Sequence, residues 1–178
     1  MRYVALLRGI NVGGSRKVAM ADLRQVLLSL GYTDVETYLQ SGNALFTGPE
    51  GDPDATARAI EQGLMRDLGM EIRVLLRTRE EMAAVIAGNP FPQALTTPSL
   101  LHVAFLSGPL DPKRLEYLDP QQYTPDDFQV GDRVIYLWYP EGSGRSKLAT
   151  LLTPQRLGVA PTARNWNTVT KLLTLLGS

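Results

Sequence analysis

The chain has 178 residues, with 18 lysines and arginines against 18 aspartates and glutamates. A formally neutral chain argues against binding to extended nucleic acid, which depends on neutralising many phosphates. The absence of cysteine and the single histidine, His102, exclude disulfides, zinc–thiolate sites and multi-histidine metal sites. No apolar run approaches the roughly 18 residues of a membrane span, and the N-terminus lacks the pattern of a secretory signal. The sequence therefore predicts a cytoplasmic globular protein, with a monomer favoured.

Strands and helices alternate through the first half of the chain. Apolar runs predict buried strands, apolar residues three and four apart predict helices, and Ser41-Gly42 predicts a tight hairpin. The predicted order is a strand over 2–8, a helix over 20–30, strands over 35–40 and 43–47, a helix that Asp52-Pro53 begins and Gly69 ends, and a strand over 71–77. This β-α-β-β-α-β order is that of a ferredoxin-like domain, also called an α-β plait.

The order recurs in the second half. Thr78 and Glu81 form a capping box for a helix to residue 87, and the Pro-rich stretch that follows predicts a linker. The later elements are a strand over 100–106, a helix over 111–118, strands over 124–130 and 133–139 with a turn at Gly131-Asp132, a helix over 145–152, a strand over 161–165 and a closing helix over 166–176. The sequence thus predicts an α+β fold with ferredoxin-like domains at 1–77 and 99–178, a helix and linker over 78–98, and an extra C-terminal helix.

Polar, glycine-bearing segments are expected to meet at one end of each predicted sheet. In the first domain these are the loop 9–17 and the hairpin turn 40–43. In the second they are the loop 140–147 and the end of the last strand, at Arg164-Asn165. The sequence around the first loop and the sequence after Asp132 are both locally basic. Four basic residues and one acid lie between Arg8 and Arg24, and six basic residues and one acid follow Asp132. Whether the two polar ends face each other depends on how the domains dock.

Glycine-rich loops between a strand and a helix commonly bind anions through their backbone amides. The leading prediction is therefore a small anionic, phosphate-bearing ligand near Arg8, Lys17, Lys147 and Arg164. The candidate ligand-binding residues are Arg8, Asn11, Gly13, Gly14, Lys17, Gln40, Ser41, Asn43, Ser146, Lys147, Arg164, Asn165 and Trp166. No metal site is predicted, and no cofactor or catalytic residue is assigned.

Two alternatives stay open. One is an enzyme that acts on a phosphate-bearing or nucleotide substrate, for which Asp22 and Glu141 are the only acids in the two basic segments. The other is a protein interaction module whose motifs only hold the two domains together. A nucleotide-binding P-loop is disfavoured because Ser15-Arg16 follow Gly14 where Lys-Ser or Lys-Thr is required. His102, in an apolar strand, is predicted to be a packed, hydrogen-bonded residue.

Four motifs carry a family resemblance: ALLRGINVGG, TYLQSGNALF, GSGRSKL and TARNWNTVTKL. Together they resemble the bacterial domain-of-unknown-function family numbered 1697, over essentially the whole chain. The resemblance implies two α-β plait domains in one chain, and it implies no particular reaction or ligand.

Overall fold

Two four-stranded antiparallel sheets and five α-helices form the described part of the chain, residues 1–177, in a computed structural model. The α+β fold class predicted from the sequence is confirmed. The elements are β1 (Arg2–Leu7), α1 (Met20–Ser29), β2 (Thr33–Tyr38), β3 (Asn43–Thr47), α2 (Pro53–Leu68), β4 (Val74–Thr78), α3 (Arg79–Ala87), β5 (Leu101–Leu106), β6 (Asp127–Gly131), β7 (Val134–Trp138), α4 (Pro154–Leu157), β8 (Pro161–Asn165) and α5 (Trp166–Leu176).

The two sheets have the same strand order. The first is β2-β3-β1-β4 and the second is β6-β7-β5-β8. In the first sheet Val4 pairs with Arg77 of β4, and in the second Val103 pairs with Arg164 of β8. Because Val4 and Val103 are each the third residue of a central strand, Arg77 and Arg164 occupy equivalent positions.

The chain divides into two compact units. The first unit comprises residues 1–83 together with the chain from residue 172 onward, and the second comprises residues 84–171. The divisions fall inside α3 and inside α5. The domain boundaries taken from the sequence, at 77 and 99, stay a prediction.

In the first unit, α1 and α2 cover one face of the sheet. Asp52 caps α2 by accepting a hydrogen bond from the Asp54 amide at 2.9 Å, with Pro53 in the first turn. Gly69 ends the helix in the left-handed region, with φ of 68°. Both ends are as the sequence predicted. Ile60 and Leu64 of α2 are fully buried in the core. The strand β1 is buried on both faces, as predicted.

The second unit has its own core and two elements that differ from prediction. The core residues are Ala104, Leu106, Ile135, Leu137, Tyr139, Leu148, Leu151 and Leu157. The α-helices predicted at 111–118 and 145–152 are wrong, since the structure has only short 3₁₀ turns there, at Pro112–Arg114 and Leu148–Leu151. Another 3₁₀ turn, Pro120–Tyr123, follows the first, and the single-turn α4 follows the second. The prolines limit how far these segments extend: Asp119 and Thr153, which precede Pro120 and Pro154, are extended, with ψ of 111° and 146°, so no helix continues through them.

The turn between β6 and β7 is also displaced from its predicted place. Gly131 pairs with Val134, so Asp132 and Arg133 form the two-residue turn. A Cβ at position 131 would lie 2.9 Å from Val134 Cγ2. The glycine therefore permits close cross-strand packing and does not itself make the turn.

None of the helices within residues 1–177 combines the length and the apolar content needed to cross a bilayer.

Substitution of Gly42 tests how tightly the β2–β3 hairpin packs. Its φ is 93°, and a Cβ there would lie 2.8 Å from Ile10 Cδ1 and 2.9 Å from Leu7 Cβ. We expect Gly42→Ala to lower the free energy of unfolding by about 2–4 kcal/mol, because left-handed strain adds to overpacking. The matched control is Gly14→Ala, with φ of 77° and no atom within 4 Å of the added carbon. It should cost only about 1–2 kcal/mol. Urea unfolding of both variants measures the difference, and equal losses would contradict the packing role of Gly42.

Candidate functional site

Asn11 organises the loop that follows β1. Its side-chain Nδ2 donates to the Val18 carbonyl at 2.9 Å and to the Gln40 carbonyl at 2.6 Å, and its Oδ1 accepts from the Val18 amide at 2.8 Å. The residue has φ of 54°, in the left-handed region that asparagine tolerates. Asn11 therefore closes the loop and ties it to the β2–β3 hairpin.

The hairpin is fastened to the same end of the sheet by further contacts. The Leu7 amide donates to the Gly42 carbonyl at 2.9 Å. The Asn43 side chain, fully buried, donates to the Tyr38 carbonyl at 2.8 Å and to Ser41 Oγ at 3.1 Å. The predicted convergence of the loop 9–17 and the turn 40–43 is confirmed. Asn11, Ser41 and Asn43 serve the architecture of this end through these contacts.

A pocket of about 430 Å³ opens beside this seam. We call it the Lys17 pocket; it is lined by Asn11, Gly14, Lys17, Val18, Ala19, Met20 and Gln40. Gly13 and Gly14 have φ of 61° and 77°, and both have open space where a side chain would be. Ala19, which precedes α1, has no side chain able to cap the helix. The pocket thus combines an ammonium group, a glycine backbone that no side chain covers and the start of a ten-residue helix, all features compatible with binding an anion.

A second pocket of the first unit is rich in arginine. This arginine pocket, of about 320 Å³, is lined by Arg8, Arg16, Glu61, Met65, Glu71, Ile72 and Arg73. Arg8 and Lys17, which the sequence analysis placed near one ligand, thus line different pockets. Neither Arg73 nor Glu61 is among the site residues predicted from the sequence. The alternation of charged and apolar residues at 71–74 predicted a strand, but it did not indicate that these side chains would line a pocket.

Backbone and side-chain contacts hold the arginine pocket together. The Arg8 amide donates to the Arg73 carbonyl at 3.0 Å, and the Arg16 guanidinium donates to the Glu71 carbonyl. Glu61 Oε1 accepts from the Val74 amide at 2.9 Å and lies 3.7 Å from Arg73 Nε. The basic groups are thereby brought to one place from two separate segments of the chain.

The second unit contains a larger pocket, of about 650 Å³, which we call the Ser146 pocket. It is lined by Gln122, Tyr123, Thr124, Pro125, Asp126, Glu141, Gly142, Gly144, Arg145, Ser146 and Lys147. Ser146 Oγ donates to Asp126 Oδ2 at 2.5 Å and accepts from the Leu148 amide at 3.0 Å. Burial, with a smaller contribution from the Asp126 carboxylate, raises the pKa of Tyr139 well above its usual value. Asp126 and Ser146 are 20 residues apart in the chain, so their contact is not visible in the local sequence.

Arg164 lies in the interior, not on the lining of the Ser146 pocket. It is 8% exposed, and its Nη1 donates to Thr162 Oγ1 at 2.8 Å and to the Ala163 carbonyl at 2.9 Å. Burial lowers the pKa of Arg164 to about 10, so the guanidinium stays protonated at neutral pH. Arg77, its equivalent in the first sheet, is also buried and donates from Nη1 to the carbonyl of its own preceding residue, Leu76, at 2.8 Å.

The residues after Arg164 begin the closing helix. Asn165 Oδ1 accepts from the Thr168 amide at 3.0 Å, and Trp166 is buried. In the first unit Thr78 has the same place before α3, where its Oγ1 accepts from the Glu81 amide at 3.2 Å and Glu81 Oε2 accepts from its amide at 2.8 Å. The predicted capping box is therefore confirmed, and the junction of strand, buried arginine and capped helix occurs twice.

His102 is half-buried in β5. Its ring packs edge-on against Tyr139, with centroids 5.1 Å apart, and its Nε2 lies 3.2 Å from the Ser99 carbonyl. The packed, hydrogen-bonded role predicted for it is confirmed. Burial lowers the pKa of His102 more strongly than the Ser99 contact raises it. Across residues 1–177, no three histidine, aspartate or glutamate side chains gather as a metal site would require.

The fold and its pockets define an α+β protein with two sheets of one strand order and polar pockets in each unit. The chain belongs to the family described as protein of unknown function (DUF1697), whose model matches residues 1–136. The predicted family is thus confirmed. The chain is similar to a solved structure described as conserved bacterial protein SP0830 from Streptococcus pneumoniae, with 27% identity, 98% of each chain covered and a TM-score of 0.77. No curated protein matches the chain.

The three hydrogen bonds of Asn11 should contribute measurably to stability. Asn11→Gly keeps the left-handed backbone accessible but removes all three, and we expect it to lower the free energy of unfolding by about 1–3 kcal/mol. The control is Asp34→Gly, at an exposed position with a similar φ of 52°. That change should leave stability unchanged within about 0.5 kcal/mol. A loss in Asn11→Gly no larger than the control's, in denaturant unfolding, would show that the hydrogen bonds are dispensable.

His102 should make stability depend on pH in one direction. Because its pKa is lowered from 6.5 in the folded state, the unfolded chain binds a proton first as the pH falls. The free energy of unfolding should therefore fall as the pH drops below 6.5, by at most about 1.4 kcal/mol per pH unit, and show no such slope above it. His102→Gln should remove this slope in urea unfolding from pH 7.5 to about 5. An unchanged slope in the variant would assign the effect to other groups.

Proposed function

We propose that this protein binds a small anionic, phosphate-bearing ligand at the glycine-rich basic loop of its first unit. The observation that carries the proposal is the Lys17 pocket, where Lys17, Gly14 and Gln40 line one cavity beside the start of α1. Because Asn11 ties the loop to the hairpin, the backbone on both sides of this pocket is held in place before a ligand arrives. Preorganised backbone amides and one ammonium group suit a phosphate better than an apolar ligand.

The Ser146 pocket supports the same chemistry in the second unit. Arg145 and Lys147 are exposed on its lining, and Gly142 and Gly144 leave room for an approaching group. Asp126 and Glu141 also line it, so its charge is mixed. Arg164, Asn165 and Trp166 support this proposal only indirectly, through the strand and helix junction that they stabilise.

The finer fold assignment is part of the proposal. We assign each unit to the ferredoxin-like class because both sheets place the first strand of the unit between its third and fourth strands. The tandem arrangement, the domains 1–77 and 99–178, the linker over 78–98, a monomeric state and a cytoplasmic location belong to the same proposal.

An interaction module is the second candidate, and one observation favours it. The side-chain amides of Asn11 and Asn43 make hydrogen bonds within the protein, while Val12 and Leu39 in the same two segments are 66% and 52% exposed. Exposed apolar side chains at loop tips are more useful to a protein partner than to a phosphate.

A thermal-shift and titration series with nucleotides and sugar phosphates tests the proposed function. A ligand present at 100 times its dissociation constant should stabilise the protein by about 2.7 kcal/mol. Lys17→Gln should weaken that ligand at least about tenfold, since it removes a charge-assisted contact. Lys113→Gln, on an exposed turn of the second unit, should leave affinity unchanged.

Two outcomes would overturn the proposal. One is the absence of stabilisation by every phosphate compound tested. The other is a phosphate ligand whose affinity is the same in the wild type and in Lys17→Gln. A double variant, Val12→Ser with Leu39→Ser, should bind the ligand normally, and its loss of ligand binding would also count against the Lys17 pocket.

A further inference from the structure

We infer that the arginine pocket is a second oxyanion site of the first unit, separate from the Lys17 pocket and suited to a phosphate monoester. Three arginine residues line a cavity of about 320 Å³, which is the size of a small phosphorylated molecule. They come from two segments, Arg8 and Arg16 from the loop after β1 and Arg73 from the approach to β4. Guanidinium groups match phosphate oxygens with paired hydrogen bonds.

Hydrogen bonds within the protein bring the three arginine residues together. The Arg8 amide is bonded to the Arg73 carbonyl, so the two residues are neighbours through their backbones. The Arg16 guanidinium donates to the Glu71 carbonyl, which joins the loop after β1 to the segment that precedes β4. The backbones of Arg8 and Arg73 and the side chain of Arg16 are therefore in place before a ligand binds, which lowers the ordering cost of binding.

The charge balance of the pocket favours an anion. Its lining has three arginines against two glutamates. Glu61 is already engaged, because it accepts from the Val74 amide at 2.9 Å, and its distance of 3.7 Å from Arg73 Nε is longer than a good charge-assisted bond. The lining therefore carries a formal excess of one positive charge, which an anion placed among the arginines would offset.

The organic part of the ligand has a place as well. Met65 of α2 is 55% exposed on the wall of the pocket, beside the buried Ile72. A flexible thioether at the edge of a basic pocket can cover an apolar or aromatic group that a phosphate carries. A phosphate monoester with a ring therefore fits the lining better than inorganic phosphate does.

The test is an NMR titration of the full chain with inorganic phosphate and with phenyl phosphate, at constant ionic strength set by chloride. We expect saturable shifts at the amides of Arg8, Arg16 and Arg73, with tighter binding of phenyl phosphate. Arg73→Gln should weaken both ligands at least about tenfold. Met65→Ala should weaken phenyl phosphate and leave inorganic phosphate unchanged. The matched control is Arg66→Gln, an exposed α2 arginine that bonds Asp67 and does not line the pocket.

Arg73→Gln with wild-type affinity, or shifts spread over all basic residues without saturation, would overturn the inference. The outcome is independent of the proposed function, since Lys17→Gln should leave binding at the arginine pocket intact. Loss of binding in Lys17→Gln together with normal binding in Arg73→Gln would exclude the arginine pocket as a phosphate site and support the proposed function at the Lys17 pocket.

Discussion

The contact between the loop after β1 and the β2–β3 hairpin is the constraint on which the first unit's pockets depend. Gly42 lies so close to Ile10 and Leu7 that a single added carbon would overlap them. The Leu7 amide and the Asn11 side chain then bond the two segments across the seam. This seam fixes the path of the loop. Asn11, Gly14 and Lys17 of the loop therefore line the Lys17 pocket, and Arg8 and Arg16 line the arginine pocket.

The junction of a strand, a buried arginine and a capped helix occurs in both sheets. Arg77 and Arg164 pair with equivalent residues of the central strands, and each donates to the carbonyl just before it. Thr78 and Asn165 follow them and cap α3 and α5. Burying a guanidinium is costly unless its hydrogen bonds are satisfied. The repetition of this costly feature indicates that the two units share one structural plan, although their residues show no strong repeat.

Local chemistry explains which parts of the fold could be predicted. The ends of α2, the capping box at Thr78 and the apolar strands depend on neighbouring residues, and all were predictable. The helices expected at 111–118 and 145–152 are instead short 3₁₀ turns, a difference that apolar spacing alone does not encode. The turn predicted at Gly131-Asp132 was misplaced for another reason. The small size of Gly131 permits a cross-strand contact, which sequence spacing does not reveal.

The sequence by itself determined the α+β class, the order of the strands along the chain and the meeting of the first loop with the hairpin, because periodicity and chain topology encode these. Its four motifs carried the resemblance that identified the family. Only the tertiary structure decided which polar side chains line pockets. Arg8 and Lys17 are nine residues apart yet line different pockets, Arg164 is buried, and Arg73 joins the basic cluster. The direction and burial of a side chain depend on long-range packing, which a motif does not contain.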